Sequence, residues 1–274
     1  MKQTAPSRVE VAGIGFDPIT QDQLISDIDD RIRQKKRVAS LTVYKPYVEF
    51  FVKAWNNPQL KQIINCGDRV VADGVAVQWA ASYLSGKRSF WNWLRSWLVD
   101  IQNRQWRERV IPERGAGVDA THKLLVHAVE EDWSVGIFGG PRDIEHTKKA
   151  MHKLYPKLRL VGVWSGFYDT SEEGQIMSQI QTKYPDILFV AQGFPRQEKL
   201  IDKYRSKNIA KVMIGEGGTF DYDSMGGDVR RALSWLRRFG LEWLWRLIIQ
   251  PKRWRRQTAI PVFLWRIYKI GKEK

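Results

Sequence analysis

Apolar residues recur along this chain in two rhythms. Short apolar runs at Val38–Val43, Ser134–Phe138, Leu158–Val163, Ile187–Ala191 and Ala210–Ile214 read as buried strands, with Val9–Ile14 as a first strand before them. Between them, apolar positions three and four residues apart predict helices over Thr20–Arg33, with Thr20 as N-cap, and over the stretch carrying Val48, Phe51, Val52 and Trp55. The same spacing predicts helices over Val75–Leu84, Asp119–Glu130, Asp143–Leu154, Glu172–Lys183 and Gln197–Tyr204. A shorter run, Val70–Ala72, stops at Asp73-Gly74. Strands alternating with helices of this length predict an α/β fold with a mostly parallel sheet flanked by helices. Ligands of such sheets lie at the carboxyl ends of the strands. That rule selects Thr42, Asp73, Gly139-Gly140, Gln192 to Gln197 and Gly215 to Asp221.

Two stretches break the rhythm. Ser89–Arg109 holds Trp91, Trp93, Trp97 and Trp106. Wound as a helix, it gathers Phe90, Trp91, Trp93, Leu94, Trp97, Leu98 and Ile101 on one face, with Asn92, Arg95, Ser96 and Asp100 opposite. Such a stripe suits either a core-facing helix or an anchor lying in a membrane plane. The second stretch is the tail, Val229 to the C-terminus. From Arg230 onward, 13 Lys and Arg oppose only Glu242 and Glu273, so most of the chain's net charge of +15 sits there. Trp235, Trp243, Trp245, Trp254 and Trp265 are interleaved with these cations. Indoles and guanidiniums together suit an anionic lipid surface. They also suit nucleic acid, through phosphate contacts and base stacking. A helix packed on its own domain with a solvated basic face is the third reading. The charge shift divides the chain into a core, residues 1–228, and an appendage, residues 229–274.

Composition narrows the classes. At 274 residues, 43% hydrophobic and 27% charged, the chain can bury a substantial core. A single cysteine, Cys66, excludes an internal disulfide framework and a cysteine-based zinc site. The start, MKQTAPSRVEVAGIGF, lacks the unbroken apolar core of a secretion signal. No run approaches the roughly 18–20 apolar residues of a membrane span, and Ala259–Ile270 is interrupted by Arg266 and Lys269. Contact with a membrane would therefore be peripheral.

Several residues can carry chemistry. Asp73, between a strand end and a glycine, suits a general base facing a cleft, but also an Asx turn or a helix cap. Thr42 stands at another strand end, where a hydroxyl can meet a ligand. Gly139-Gly140-Pro141-Arg142 joins a strand to a helix, and its bare amides suit a phosphate or form a plain tight turn. Gln192-Gly-Phe-Pro-Arg-Gln197-Glu198 places two carboxamides, an arginine and an acid around one turn, a set suited to a polyhydroxylated or uracil-like ligand. Gly217 and Gly218 belong to a third glycine-rich loop. His122, His127, His146 and His152 fall on helices without ligand spacing, so no protein-bound metal is expected. Arg246, Arg253 and Arg256 share one face if the tail helix is continuous, although Pro251 argues for a break. They suit a clamp on a diphosphate.

Taken together these motifs resemble the WecG/TagA/CpsF family of bacterial glycosyltransferases. The resemblance rests on ADGVAVQWA (72–80), GVDATHKLL (117–125), the stretch from IFGGPRD to SGFYD (137–169), GFPRQEKLI (193–201), GEGGTFDYDSMGG (215–227) and the tail 230–256. It implies a Rossmann-like glycosyltransferase core and an inverting, metal-independent enzyme that needs no cofactor. Such an enzyme moves a sugar, typically N-acetylmannosamine or its uronate, from a UDP-sugar to a polyprenyl-diphosphate-linked sugar, on the cytoplasmic face of the plasma membrane. By this resemblance Asp73 is the general base and Thr42 an active-site threonine. Gly139, Gly140, Gln192, Gln197, Gly217 and Gly218 line the nucleotide-sugar, Arg246, Arg253 and Arg256 hold the diphosphate, and Trp91, Trp93, Trp97, Trp243, Trp245 and Trp254 meet the membrane. The anionic membrane surface is then a partner, a homo-oligomer in solution is compatible with the apolar tail, and nucleic acid is not expected. Many relatives carry Thr-x-Asn where this chain has Thr42-Val-Tyr44. Its Trp-rich segment, 89–109, is also longer than usual for the family.

Overall fold

The computed structural model describes residues 7–115, 117–140, 143–227, 229–233, 242–251 and 254–273, without the side chains of Glu242, Trp243, Arg246, Arg255 and Arg256. The chain opens with a hairpin, β1 (Val9–Val11) and β2 (Ile14–Phe16), rather than one continuous strand. Ala12 and Gly13 both take positive φ, 52° and 84°, which reverses the chain and pairs Val9 with Phe16.

There follow α1 (Gln21–Arg33), β3 (Leu41–Tyr44), α2 (Val48–Ala54), α3 (Pro58–Asn65), β4 (Arg69–Val70) and α4 (Val75–Leu84). Helix α1 starts at a reciprocal capping box between Thr20 and Gln23. The periodicity reading passed over α3, although Asn57 as N-cap and Pro58 in the first turn mark its start. The Trp-rich segment forms α5 (Phe90–Leu98), a 3-10 turn and α6 (Arg104–Arg107). The remaining core elements are α7 (Val118–Glu130), β5 (Ser134–Gly139), α8 (Ile144–Leu154), β6 (Arg159–Trp164), α9 (Glu173–Lys183), β7 (Ile187–Ala191), α10 (Arg196–Tyr204) and β8 (Val212–Gly215). In the tail lie α11 (Glu242–Ile249), α12 (Trp254–Gln257) and α13 (Ala259–Glu273). The tail helix is therefore not continuous through Pro251.

Six strands form one parallel sheet in the order β4-β3-β8-β7-β5-β6. Alternation along the strands sends side chains into two cores. Phe138, Leu188, Val190 and Met213 meet α4, α9, α10 and α13 in the first. Val43, Val71, Val135, Ile137, Phe189 and Ile214 meet α1, α7 and α8 in the second. Burial on both faces explains why these strands read as continuous apolar runs instead of alternating ones.

Helix α13 inserts Phe263 and Ile267 into the first core, with the Phe263 ring 5.0 Å from that of Phe51. Helix α5 packs beside it, and the Trp93 indole donates to the Leu264 carbonyl at 3.1 Å. The predicted division of α5 into an apolar and a polar face is only partly met. Ser96, assigned to the polar face, is buried and accepts from the Trp79 indole at 3.0 Å, whereas Trp91 and Leu98 are exposed. Trp79 needs a partner for its N–H once buried, and Ser96 supplies it.

Edge strand β4 matters because it leads to Asp73. Its outer side is closed by Asp17, whose backbone N–H donates to the Val70 carbonyl at 2.8 Å and whose carboxylate accepts the Val70 N–H at 2.6 Å. Arg8 holds the other carboxylate oxygen at 3.1 Å. Asp17→Ala should therefore leave the Val70 N–H unmet and cost about 2–3 kcal/mol in urea unfolding.

Candidate active site at the carboxyl edge of the sheet

All six parallel strands send their carboxyl ends to one edge, and the loops there carry the polar residues. Beyond Val70 the chain keeps pairing with the β3 side, Val71 N–H to Tyr44 O at 2.9 Å and Asp73 N–H to Pro46 O at 3.1 Å. This carries half-buried Asp73 to the mouth beside Lys45 and Pro46. Asp73, Lys45 and Glu216 each stand two residues beyond a second-core side chain, Val71, Val43 and Ile214 respectively. By the period-2 rule they continue one face. Gly193 and Gly139 extend the row beyond Ala191 and Ile137, which belong to the same core.

Lys45 and Glu216 form an ion pair between the ends of β3 and β8, with side chains 7% and 1% exposed. The second Glu216 oxygen accepts the Thr219 hydroxyl at 2.8 Å. Sequence reading passed over Lys45 and took Glu216 only as part of the Gly215–Asp221 loop, because a lone lysine carries no signal until the sheet makes its strand a neighbour of β8.

Gln197 sits on the other side of the edge. It is buried, and its Oε1 accepts the Gly193 N–H at 3.1 Å and the Gly217 N–H at 3.0 Å. One carboxamide thereby fastens the loop after β7 to the loop after β8. Its Nε2 donates to Glu198 at 2.9 Å. Burial pushes the Glu198 carboxyl up to about 7, against the lowering effect of that donor, and its Oε2 has no hydrogen-bond partner among the described residues.

The connection after β5 runs to α8 on the second core, and the connection after β7 runs to α10 on the first. A crevice opens where adjacent strands diverge in this way. At its floor Gly139 has φ of +105°, and a Cβ there would stand 2.4 Å from the Ala191 carbonyl oxygen, so only glycine fits. Gly140 donates its N–H to that same carbonyl at 2.9 Å. Gln192 packs over this floor with its buried Nε2 unpartnered among the described residues. Gly217 and Gly218 stand half-buried on the neighbouring loop. From β4 to β5 the row spans four interstrand steps, about 19 Å.

Thr42 departs from expectation. It does not end its strand, which runs on through Tyr44, and it is fully buried. Its hydroxyl donates to Asp68 at 2.8 Å and accepts the Asp68 N–H at 3.1 Å, so it fastens β3 to the loop entering β4, away from Asp73. Tyr44 likewise turns into the core, its ring filling the space left by Gly67. Arg253 lies outside the described residues, as do the side chains of Arg246, Arg256 and Trp243. Trp245 donates to the Arg230 carbonyl at 3.0 Å, and Trp254 is exposed. Trp93 and Trp97 pack against the first core, while Trp91 is 74% exposed.

The sequence profile of the glycosyl transferase WecG/TagA/CpsF family matches residues 9–92 and 96–274. Among characterised proteins, the N-acetylglucosaminyldiphosphoundecaprenol N-acetyl-beta-D-mannosaminyltransferase of Bacillus subtilis (strain 168) is 36% identical over 60% of this chain and 63% of its own length. The enzyme of the same name from Bacillus spizizenii is 28% identical over 89% of this chain and 84% of its own. That from Staphylococcus aureus (strain MRSA252) is 25% identical over 98% and 94%.

The Glu198 carboxyl gives a pH signature. With its folded pKa raised from 4.5 to about 7, its contribution to stability is full below 4.5 and is lost as pH rises through 7. Glu198→Gln removes that loss. Melting curves of the two proteins should coincide near pH 4 and diverge toward pH 8, the variant becoming more stable by on the order of 3 kcal/mol.

Proposed function

This chain belongs to the WecG/TagA/CpsF family of glycosyl transferases, and we propose that it transfers a sugar of the N-acetylmannosamine type from a UDP-sugar to a polyprenyl-diphosphate-linked sugar, with inversion and without a metal ion. The observation that carries this reading is the row along the carboxyl edge, with Asp73 at one end and the glycine-floored crevice at the other. Its span of about 19 Å suits an extended nucleoside diphosphate sugar. The names of the Bacillus relatives support the acceptor class and the sugar.

In this reading the nucleotide occupies the crevice between β5 and β7, with Gln192 beside it and the diphosphate over Gly139-Gly140 and Gly217-Gly218. Gln197 acts by holding the two loops. The sugar reaches along the row toward Asp73. The Asp73 carboxylate takes the proton of the acceptor hydroxyl, whose oxygen forms the new bond to the anomeric carbon as the bond to UDP breaks on the opposite face. Negative charge grows on the departing diphosphate. Arg246, Arg253 and Arg256 of the appendage, residues 229–274, would stabilise it there in place of a metal ion.

A lipid-linked acceptor requires access to a membrane surface. No helix among the described residues is long and apolar enough to cross one. Helices α5 and α13 instead present an aromatic chain. Trp91 stacks edge-on to Phe90 at 5.5 Å, Phe90 to Tyr268 at 5.8 Å, and Tyr268 faces Trp265 at 5.4 Å. Leu98, Val99 and Val262 add exposed apolar surface, and Lys269 lies over the Trp265 ring at 5.7 Å. Aromatic rings rimmed by cations suit the headgroup region of an anionic leaflet. This supports a peripheral position on the inner face of the plasma membrane, and the same patch could pair two copies in solution.

Two measurements test the reading. UDP release from a UDP-sugar with a short-chain lipid-diphosphate sugar should persist in EDTA and fall by roughly 10²–10³-fold in Asp73→Asn. Near-normal turnover by a folded Asp73→Asn protein would remove the base assignment. Co-sedimentation with phosphatidylglycerol vesicles should weaken as salt rises and drop about tenfold in the Trp91→Ser/Trp265→Ser double variant. Vesicle binding that ignores both changes would place the membrane contact elsewhere.

A further inference from the structure

A run of chain beside α4 joins the aromatic surface of α5 to the Asp73 end of the site. Residues 107–115 travel antiparallel to that helix, starting at its carboxyl end. The Ser82 hydroxyl donates to the Arg107 carbonyl at 2.9 Å, and the Gln78 carboxamide donates to the Ile111 carbonyl at 2.9 Å. Gly115 then packs so closely on Val71 that a Cβ there would stand 2.6 Å from its side chain. Val71 is two residues before Asp73. The helical stretch from Val75 to Ser82 sets the length of this path, about 10 Å. At its far end the path continues into α6, the 3-10 turn and α5, where Trp91 and Leu98 are exposed.

Arginines on the path outnumber the carboxylates that meet them. Residues 104–114 carry Arg104, Arg107, Arg109 and Arg114 against Glu108 and Glu113. Glu108 is taken by Arg104 at 2.7 Å and stands 3.6 Å from Arg107, while Glu113 accepts the Gln21 backbone N–H at 2.8 Å. Arg109 donates to the Ser82 carbonyl. The Arg107 side chain is only 14% exposed. Its Nη1 donates to the Ile101 carbonyl at 2.9 Å, and its Nε is buried without a partner among the described residues. Burial, and after it the charge of Arg114, push the Arg107 guanidinium below the ordinary arginine pKa, against the opposite pull of Glu108. Arg114 itself is exposed at the Asp73 end, with no ion pair among the described residues. A buried guanidinium short of countercharge is costly to keep, and an incoming anion would complete it.

We infer that Arg107 and Arg114 seat the diphosphate of the lipid-linked acceptor, with its lipid leaving toward α5 and its sugar reaching Asp73. The inference rests on the glycosyltransfer reading above and gives the acceptor an anion site apart from the donor's diphosphate over the glycine floor. The order along the path is the order within the acceptor: lipid, diphosphate, sugar hydroxyl. Arginine forks suit the oxygens of a diphosphate, which two such groups approach together without leaving either charge unopposed. A lipid headgroup phosphate shares this chemistry, so the experiment separates the two sources.

Transfer is measured with farnesyl-diphosphate-linked N-acetylglucosamine in detergent micelles free of phospholipid, each substrate being varied in turn. Arg107→Met and Arg114→Gln should each raise the acceptor KM about tenfold or more, leaving the donor KM and binding to phosphatidylglycerol vesicles little changed. Arg107→Lys keeps the charge without the fork and should fall between wild type and Arg107→Met. Calorimetry with farnesyl diphosphate alone should weaken in the same order. Arg114 is exposed, so Arg114→Gln serves if Arg107→Met does not fold. An unchanged acceptor KM in folded Arg114→Gln, or equal rises of both KM values in Arg107→Met, overturns the inference; the second result makes Arg107 a pin on the Ile101 carbonyl. Vesicle binding that falls while the acceptor KM holds gives the arginines to lipid headgroups and overturns it as well. Each of these outcomes leaves glycosyltransfer in place. A wild type that transfers no sugar from any UDP-sugar overturns that reading, and the acceptor assignment with it.

Discussion

The carboxamide of Gln197 makes three hydrogen bonds inside the protein, two of them to the backbone N–H groups of Gly193 and Gly217. A parallel sheet buried on both faces leaves its strand-end loops with polar backbone groups that neither the ladder nor the core can satisfy. One buried side chain meets that need for two loops at once. The ends of β7 and β8 are thereby held in a fixed relation, and Glu216, next to Gly217, is presented to Lys45 just beyond β3. From there the pairing of Asp73 with Pro46 extends the same construction to the edge strand. The proposed base, the ion pair and the glycine floor of the crevice are linked through these bonds and the Gly140 N–H on the Ala191 carbonyl.

Burial is used differently on the two sides of this edge. Glu216 is buried with its charge matched, by Lys45 and by the Thr219 hydroxyl. Glu198 is buried with one amide donor and an oxygen left over, and its carboxyl is correspondingly pushed toward the neutral form. The two glutamates differ in what meets them: Glu216 is ion-paired with Lys45 from the neighbouring strand end, whereas Glu198 accepts the Gln197 amide. The tryptophans show a parallel division. Trp79 and Trp93 bury their rings and find acceptors for their N–H groups, in Ser96 and the Leu264 carbonyl. Trp91 and Trp265 remain in the open on the α5–α13 surface, where an amphipathic ring is suited to an interface.

Much of the architecture was legible in the chain itself. Apolar runs marked β5, β6, β7 and β8, three- and four-residue periodicity marked α1, α4, α7, α8, α9 and α10, and their alternation implied the parallel sheet. The strand-end rule brought Asp73, Gly139-Gly140 and the Gln192–Gln197 turn forward before any side-chain geometry was considered. Local chemistry also set what the sequence could say of the tail: its charge, its indoles and the break at Pro251 are all properties of neighbouring residues.

Tertiary structure decided the rest, because the deciding contacts join residues far apart in the chain. Lys45 and Glu216 lie 171 residues apart and meet only because β8, formed late, inserts beside β3. The same ordering buries Thr42 against Asp68 and takes it away from the mouth that its apparent strand-end position had suggested. Hydrophobic periodicity could gather the apolar residues of α5 on one face, but not say that a buried indole on α4 would require Ser96 on the other. Sequence determined which segments are strands and helices, since that depends on residues within a few positions of one another. Which charges meet depended on the order of strands across the sheet.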